Sequence, residues 1–423
     1  MEYKISDLCD IRRGASPRPI KNYIVEDYDN SFPWVKIADA TKDLSRYISN
    51  TKERVSLEGS KKSVEVLPGD LILSNSATPG LPKFMKVKAY IHDGWLLLRN
   101  FKNVRKEFLY YVLILNRQKL LQLSNGSVFN NLKTDIVKNY MVDIPSIEIQ
   151  DKILKIINNI ENKLDSNNKL IANLEELSQT LFKRWFIDFE FPDKNGTPYK
   201  SSGGEMIDSE LGKIPKIWGV ETLEKLGAIV GGGTPSKKNM EYYTNNGIPW
   251  ITPKDLSKNR NIYISHGEND ISELGLNKSS TKLLEKNSVL FSSRAPIGYI
   301  AINSIPVTTN QGFKSIVPNK EVNPYFIYFI LKRMTPLIEQ TASGSTFKEI
   351  STKGMKSIKI VFPSIELIQQ YGNNVKKYFE EIRILENQNV KLTELRDTLL
   401  PKLMSGEIEI PDDIEVNADE ISI

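Results

Sequence analysis

The stretch from Asp151 to Phe186, DKILKIINNIENKLDSNNKLIANLEELSQTLFKRWF, decides the fold. Ile153, Ile157, Ile160, Leu164, Asn167, Ile171, Leu174, Ser178, Leu181 and Trp185 follow one another at alternating steps of four and three. Those steps mark the a/d seam of a coiled coil, here broken by the polar Asn167 and Ser178. Raising each number by 218 gives Tyr371, Val375, Tyr378, Ile382, Leu385, Asn389, Leu392, Arg396, Leu399 and Leu403, again mostly apolar. At 1.5 Å per residue each segment would run roughly 50 Å. Neither buries a narrow stripe alone, so the two are expected to pack on each other, with pairing to another chain as the competing outcome.

The offset of 218 extends well beyond these helices. Gly126-Ser-Val-Phe129 matches Gly344-Ser-Thr-Phe347, and Pro145-Ser-Ile-Glu148 matches Pro363-Ser-Ile-Glu366. Phe108-Leu-Tyr-Tyr-Val-Leu113 matches Phe326-Ile-Tyr-Phe-Ile-Leu331, Leu71-Ile-Leu-Ser74 matches Val289-Leu-Phe-Ser292, Gly80 matches Gly298 and Pro17 matches Pro235. Pro33-Trp34 and Pro249-Trp250 stand 216 apart, so a two-residue insertion or deletion lies nearby. A constant offset over most of a chain marks a tandem duplication. The expected order is a globular unit at 1–150, a long helix at 151–188, a flexible Gly/Ser/Lys-rich linker at 189–215, a second unit at 216–366, a second helix at 367–406 and an acidic tail at 407–423. Within the units, short runs such as Leu71-Ile-Leu, Trp95-Leu-Leu-Leu and Tyr140-Met-Val-Asp-Ile alternate with Gly/Pro/Asn turns and read as strands; Phe108 to Leu121 reads as a short helix. The fold class is therefore α+β: two duplicated mixed units separated by two long helices.

The chain has 423 residues, 40% hydrophobic and 26% charged, which suits a soluble protein of two or three domains. No apolar run is long enough to span a bilayer, and the polar start Met1-Glu-Tyr-Lys-Ile-Ser-Asp7 does not read as a signal peptide. The single cysteine, Cys9, rules out an intrachain disulfide and fits a reducing, cytoplasmic compartment. The net charge of +5 is unevenly spread: seven acids and no base follow Lys402, so the body up to Lys402 carries +12. A basic body with an acidic tail is compatible with a polyanionic partner.

Signs of catalysis are few. Two histidines, His92 and His266, and one cysteine cannot build a His/Cys metal site of the usual kind, and neither histidine is repeated at an equivalent position. Gly231-Gly-Gly lacks the Gly-Lys-Ser/Thr of a phosphate loop and reads as a tight turn. Asn323-Pro-Tyr-Phe326 lacks the second proline of the Asn-Pro-Pro-Phe/Tyr of DNA amino-methyltransferases and reads as a helix start. Binding chemistry is richer. Arg12, Arg13, Arg18, Lys36, Asn75 and Lys83 lie around the turns of the first unit. Lys237, Lys238, Lys254, Arg294, Asn310, Gln311, Lys314 and Lys348 lie around those of the second. Arg and Lys bind phosphates or read guanine, and Asn and Gln read adenine. Two such modules on a rigid spacer would read two separated sites on one duplex.

At this point the second half resembles the specificity subunit of type I restriction–modification systems. Gly233-Thr-Pro-Ser236, Gly247-Ile-Pro-Trp-Ile251, Ser293-Arg-Ala-Pro-Ile-Gly298, Asn310-Gln-Gly-Phe313, Gly344-Ser-Thr-Phe347, Pro363-Ser-Ile-Glu366 and Leu395-Arg-Asp-Thr-Leu-Leu-Pro-Lys-Leu-Met-Ser-Gly406 carry the resemblance. The first half matches more loosely, with Asn75-Ser-Ala-Thr-Pro-Gly80 where the second has Ser293 to Gly298. The resemblance covers nearly the whole chain. It implies that each globular unit is a target recognition domain for one half of a bipartite DNA site. The two helices would pack antiparallel in a pseudo-twofold arrangement, as a spacer and a docking surface for two methyltransferase subunits. S-adenosylmethionine, ATP and magnesium would belong to the modification and restriction (endonuclease/translocase) subunits, and this chain would be non-catalytic. An enzyme that modifies DNA by itself and a coiled-coil assembly scaffold are the competing readings.

Overall fold

The computed structural model describes residues 1–41, 45–124, 131–258, 260–343 and 348–411. The paired Gly-Ser-x-Phe motifs at 126–129 and 344–347 and the tail from Asp412 lie outside the described residues. The chain divides into two units: Met1–Lys163 with the chain from Thr393 onward, and Leu164–Leu392. The divisions fall inside the long helices rather than at 150 and 366, because the ends of both helices are buried in the cores of the globular parts.

In the first unit, strands β1 (Asp10–Arg13), β2 (Tyr47–Ile48), β3 (Leu71–Ser74), β4 (Pro82–Met85) and β5 (Trp95–Arg99) form a sheet in the order β1-β5-β3-β4-β2. In the second unit, β6 (Gly227–Gly231), β7 (Tyr263–Ile264), β8 (Val289–Phe291), β9 (Ile300–Asn303) and β10 (Lys314–Pro318) form a sheet in the order β6-β10-β8-β9-β7. Element for element the order is the same. The last pair is parallel in both, Ile48 with Met85 and Ile264 with Asn303. A second sheet also repeats, except that its antiparallel edge strand Val64–Val66 is reduced in the second unit to one bridge, Leu284 with Val307. The runs expected as strands at 71, 95 and 141 are strands: the first two pack consecutive apolar residues on both sheet faces, while Met141–Asp143 buries only Val142 and pairs with Glu2–Lys4.

Each sheet carries a helix, α1 (Lys106–Ser124) in the first unit and α3 (Pro324–Thr341) in the second. Asn323 does start a helix: its Oδ1 accepts the Phe326 N–H at 2.9 Å, and proline occupies the first helical position. The long helices are α2 (Ile147–Phe186) and α4 (Ile365–Ser405). The repeated Pro-Ser sets both starts, since Ser146 and Ser364 accept N–H groups of their first turns.

Within each unit the two helices lie side by side and antiparallel. In the second unit the Tyr371 hydroxyl donates to the Ser178 carbonyl at 3.0 Å, and Asn167 bonds Asn389 at 2.9 Å. In the first, Glu161 pairs with Arg396 at 3.2 Å, while Ile153 and Ile157 share a core with Leu400 and Leu403. The seam differs from a strict heptad. Tyr378 is 37% exposed and Phe379 wholly buried; Leu399 is half-buried and Leu400 buried. Ile171, Leu174, Leu181 and Leu392 are also only half-buried. Where a helix meets a globular core it needs a broad 3.6-residue face, so the stripe drifts from the narrow coiled-coil line.

The 189–215 segment is not a flexible linker. Met206–Ser209 and Gly212–Pro215 pair as a hairpin, and the Asp193 carboxylate accepts the N–H groups of Asn195 and Thr197. Phe191 stacks on Tyr199 at 4.7 Å and on Trp218 at 4.8 Å. The aromatics supply the burial that the Gly/Ser/Lys content conceals.

Candidate nucleic-acid interface

The loops at one end of each main sheet are built twice by the same hydrogen bonds. Between β3 and β4, the Ser74 N–H reaches the Leu81 carbonyl at 3.0 Å, the Gly80 N–H the Ser74 carbonyl at 2.8 Å, and Ser74 Oγ the Thr78 carbonyl at 2.5 Å. Between β8 and β9, Ser292 repeats these bonds with Tyr299, Gly298 and Pro296 at 2.9, 3.0 and 2.9 Å. Gly80 and Gly298 have φ of +75° and +93°, which explains why both copies keep glycine there. A second loop repeats as well: His92 Nδ1 accepts the Gly94 N–H at 2.8 Å, and Asn310 Oδ1 accepts the Gly312 N–H at 2.9 Å. A third strand-end turn presses on it. A Cβ on Gly14 would lie 2.1 Å from the His92 carbonyl oxygen, and one on Gly232 2.0 Å from that of Asn310.

On this shared frame the side chains differ. In the first unit Asp93 gathers the loops: Ser16 Oγ donates to its carboxylate at 2.7 Å, and Arg13 Nε and Asn75 Nδ2 donate to its carbonyl at 2.9 and 3.2 Å. The Ser16 hydroxyl leads in holding the Asp93 carboxyl below its ordinary value, against partial burial, so it is ionised at neutral pH. Burial pushes the His92 imidazole below its usual value, although Asp93 opposes this, so the ring is neutral with Nε2–H as its remaining donor. Arg13, Asn75, Ser76, His92, Asp93, Asn131, Lys133 and Thr134 line a cleft of about 390 Å³.

In the second unit Gln311 stands where the first has Asp93, and Thr234, the counterpart of Ser16, donates to its Oε1. The Gln311 amide nitrogen has no protein partner among the described residues. Arg294 Nε donates to Glu349 at 2.7 Å, and Lys314 Nζ reaches the other Glu349 oxygen at 3.2 Å and Ser293 Oγ at 3.4 Å.

The candidates chosen from sequence therefore separate. Arg13, Asn75, Arg294, Asn310 and Gln311 belong to the repeated loops. Lys83 and Lys314 are corrections: they are 4% and 8% exposed, Lys83 donating to the Ser45 carbonyl and Lys314 pairing with Glu349, so neither is free to meet DNA. Asn75 is buried too and braces Asp93. Lys36 and Lys254 are exposed but paired with Glu53 and Glu268. Arg12, Arg18, Lys237, Lys238 and Lys348 are exposed with no ion-pair partner among the described residues, and fit phosphate contacts. Sequence reading missed His92, Asp93 and Glu349. Subtracting 218 from Asn310 and Gln311 gives His92 and Asp93.

No helix among the described residues is long and apolar enough to cross a membrane. The chain matches the family model described as type I restriction modification DNA specificity domain, over residues 1–176 and again over 215–394. It is 29% identical to the type I restriction enzyme HindI specificity subunit of Haemophilus influenzae, covering 96% of this chain and 100% of that protein. It is 40% identical to the type I restriction enzyme MjaIX specificity subunit of Methanocaldococcus jannaschii over 44% of this chain and 42% of that one. The crystal structure of a type I restriction–modification S subunit from M. genitalium has the same fold, with a TM-score of 0.56 at 16% identity over 97% of this chain and 96% of that one. Two matched domains, the twice-built loop frame and the paired long helices agree, and the chain belongs to the type I restriction–modification DNA specificity family.

Proposed function

We propose that this chain is the non-catalytic DNA-recognition subunit of a type I restriction–modification complex, each globular unit reading one half of a bipartite duplex site. The observation that carries the reading is one loop frame made twice, with Asp93 in one copy and Gln311 at the same backbone address in the other. A shared frame with different hydrogen-bonding groups is what two reading heads for different sequences require. The antiparallel helices would set the gap between half-sites and dock two methyltransferase subunits. Those partners would hold S-adenosylmethionine, and restriction subunits would bring ATP, magnesium and the nuclease. The complex would work in the cytoplasm. No observation favours a self-sufficient modifying enzyme or a pure scaffold over this reading.

The test is to sequence methylated sites in cells carrying this chain with its modification partner, then to replace residues 1–150 with the equivalent unit of a relative. A bipartite motif with one changed half is expected. Movement of both halves would defeat the assignment of one unit to each half-site.

A further inference from the structure

Arg294, Glu349 and Lys314 form a chain of contacts for which the first unit has no counterpart. The corresponding residues at the 218 offset are Ser76, Asn131 and Leu96. All three members differ together. Leu96 is a core residue, so Lys314 stands at an apolar address, and a buried ammonium is costly unless paired. Gly231 lies directly across the strand pair, where the first unit has Arg13; a Cβ there would meet the Lys314 side chain in ordinary contact, at 3.9 Å. Lys314 in turn grips one oxygen of Glu349, which leaves the other for Arg294 Nε at 2.7 Å.

Arg294 itself is 46% exposed along its side chain. A half-exposed ion pair adds little stability, so orientation is the main consequence of the contact. With Nε held, the two terminal nitrogens remain as a planar fork without protein partners among the described residues. That fork matches guanine O6 and N7 in the major groove, which a lysine ammonium, a point charge without a planar fork, matches less well.

Resting on the specificity-subunit reading, we propose that Arg294 reads one guanine in the half-site of the second unit, and that Glu349, anchored by Lys314, is its positioning residue. The first unit lacks the device and reads its half-site with other groups.

The experiment uses the chain assembled with its methyltransferase partner and sequences methylated sites for wild type, Arg294→Ala, Arg294→Lys and Glu349→Gln. In the half-site that exchange of residues 1–150 leaves unchanged, Arg294→Ala should erase the preference for one guanine by about tenfold or more. The other half-site should stay as it is. Arg294→Lys keeps the charge without the planar fork and should weaken the same preference, which also covers an alanine variant that fails to assemble. Glu349→Gln should relax the same position by a smaller factor. A uniform fall in methylation with an unchanged motif would make Arg294 a phosphate contact and overturn the proposal. So would a second half-site without a fixed guanine. Absence of any bipartite motif for wild type would instead sink the underlying reading.

Discussion

The two units differ most where their backbones agree most. At the first the loops converge on Asp93, an ionised acceptor braced by Ser16, Arg13 and Asn75. At the second they present Gln311, a neutral group with both donor and acceptor, beside the Arg294 fork. The bonds that set the loop paths run from backbone to backbone or through Ser74, Ser292, His92 and Asn310, which face the chain. Recognition chemistry can therefore change without changing the loop. Under the proposed function, that separation would let one duplicated domain serve two half-sites.

The sharpest way to break the comparison is through its shared glycines. Alanine at Gly14 or Gly232 puts a methyl group near 2 Å from a carbonyl oxygen of the neighbouring loop, so the loop that carries Asp93 or Gln311 must shift to accommodate it. Each substitution should cost about 2–4 kcal/mol, as overpacking against backbone does at the severe end. Thermal melting of Gly14→Ala and Gly232→Ala is expected to show similar losses. A large loss in one and none in the other would mean that the frames are less alike than their hydrogen bonds indicate.

A second contrast concerns charge beneath the sheets. In the second unit the Glu386 carboxylate accepts the Ile262 and Tyr263 N–H groups at 2.6 and 3.0 Å from within α4. In the first unit the residue just before the equivalent strand, where the second has Ile262, is Arg46, buried, with Tyr111 among its partners. Burial pushes the Glu386 carboxyl up to about 7 from 4.5, although the two amides oppose it. Between those values the folded chain holds a proton that the unfolded chain has released, so stability falls as pH rises through the window. The effect should be on the order of 2–3 kcal/mol, and Glu386→Gln should flatten it. Melting of both proteins between pH 5 and pH 8 tests this, with amide exchange at Ile262 and Tyr263 locating it in the second unit. Parallel profiles for wild type and variant would remove Glu386 as the cause. Arg46 does not titrate in this range, so residues 46–48 should show no matching change.

Much of this was legible in the sequence, and the failures have a common physical form. The heptads of Asp151–Phe186 and the 218 offset reveal the helices and the duplication, since periodicity and self-similarity survive without tertiary contacts. Burial of a lysine does not. Lys83 and Lys314 look like ordinary loop bases, yet their repeat counterparts are Ala301 and Leu96, both in the core. The duplication held that signal, and comparing each polar residue with its own copy would have exposed it. Phe379 escaped because the heptad rule assumes a narrow seam, whereas α4 packs there against a globular core. The Asp93 cleft escaped because it draws on Arg13, Asn75 and Asn131, far apart in sequence and brought together only by strand order.

The smallest expected net effect concerns the seam itself. In the first unit Arg396 and Glu161 meet as a charged pair; in the second Asn167 is buried and bonds Asn389, which returns a bond to Asn168 at 2.8 Å. Asn389→Leu would leave the buried Asn167 amide only its longer bond to Gln388 at 3.4 Å, at a cost of about 1 kcal/mol. Changing both Asn167 and Asn389 to leucine removes the weakly bonded amide and adds apolar burial, so the double variant should return close to wild-type stability. What it should lose is register, because paired asparagines in a seam fix the axial alignment of the helices while leucines tolerate slippage. A double-mutant cycle by melting, with a short bifunctional reagent crosslinking cysteines placed at the exposed Asn168 and Gln388 beside the pair, reads stability and alignment separately. Recovered stability with scattered crosslinking would show that the asparagines hold the helices in step at little net gain in stability; a double variant as unstable as the single one would show that the seam depends on the amide bonds themselves.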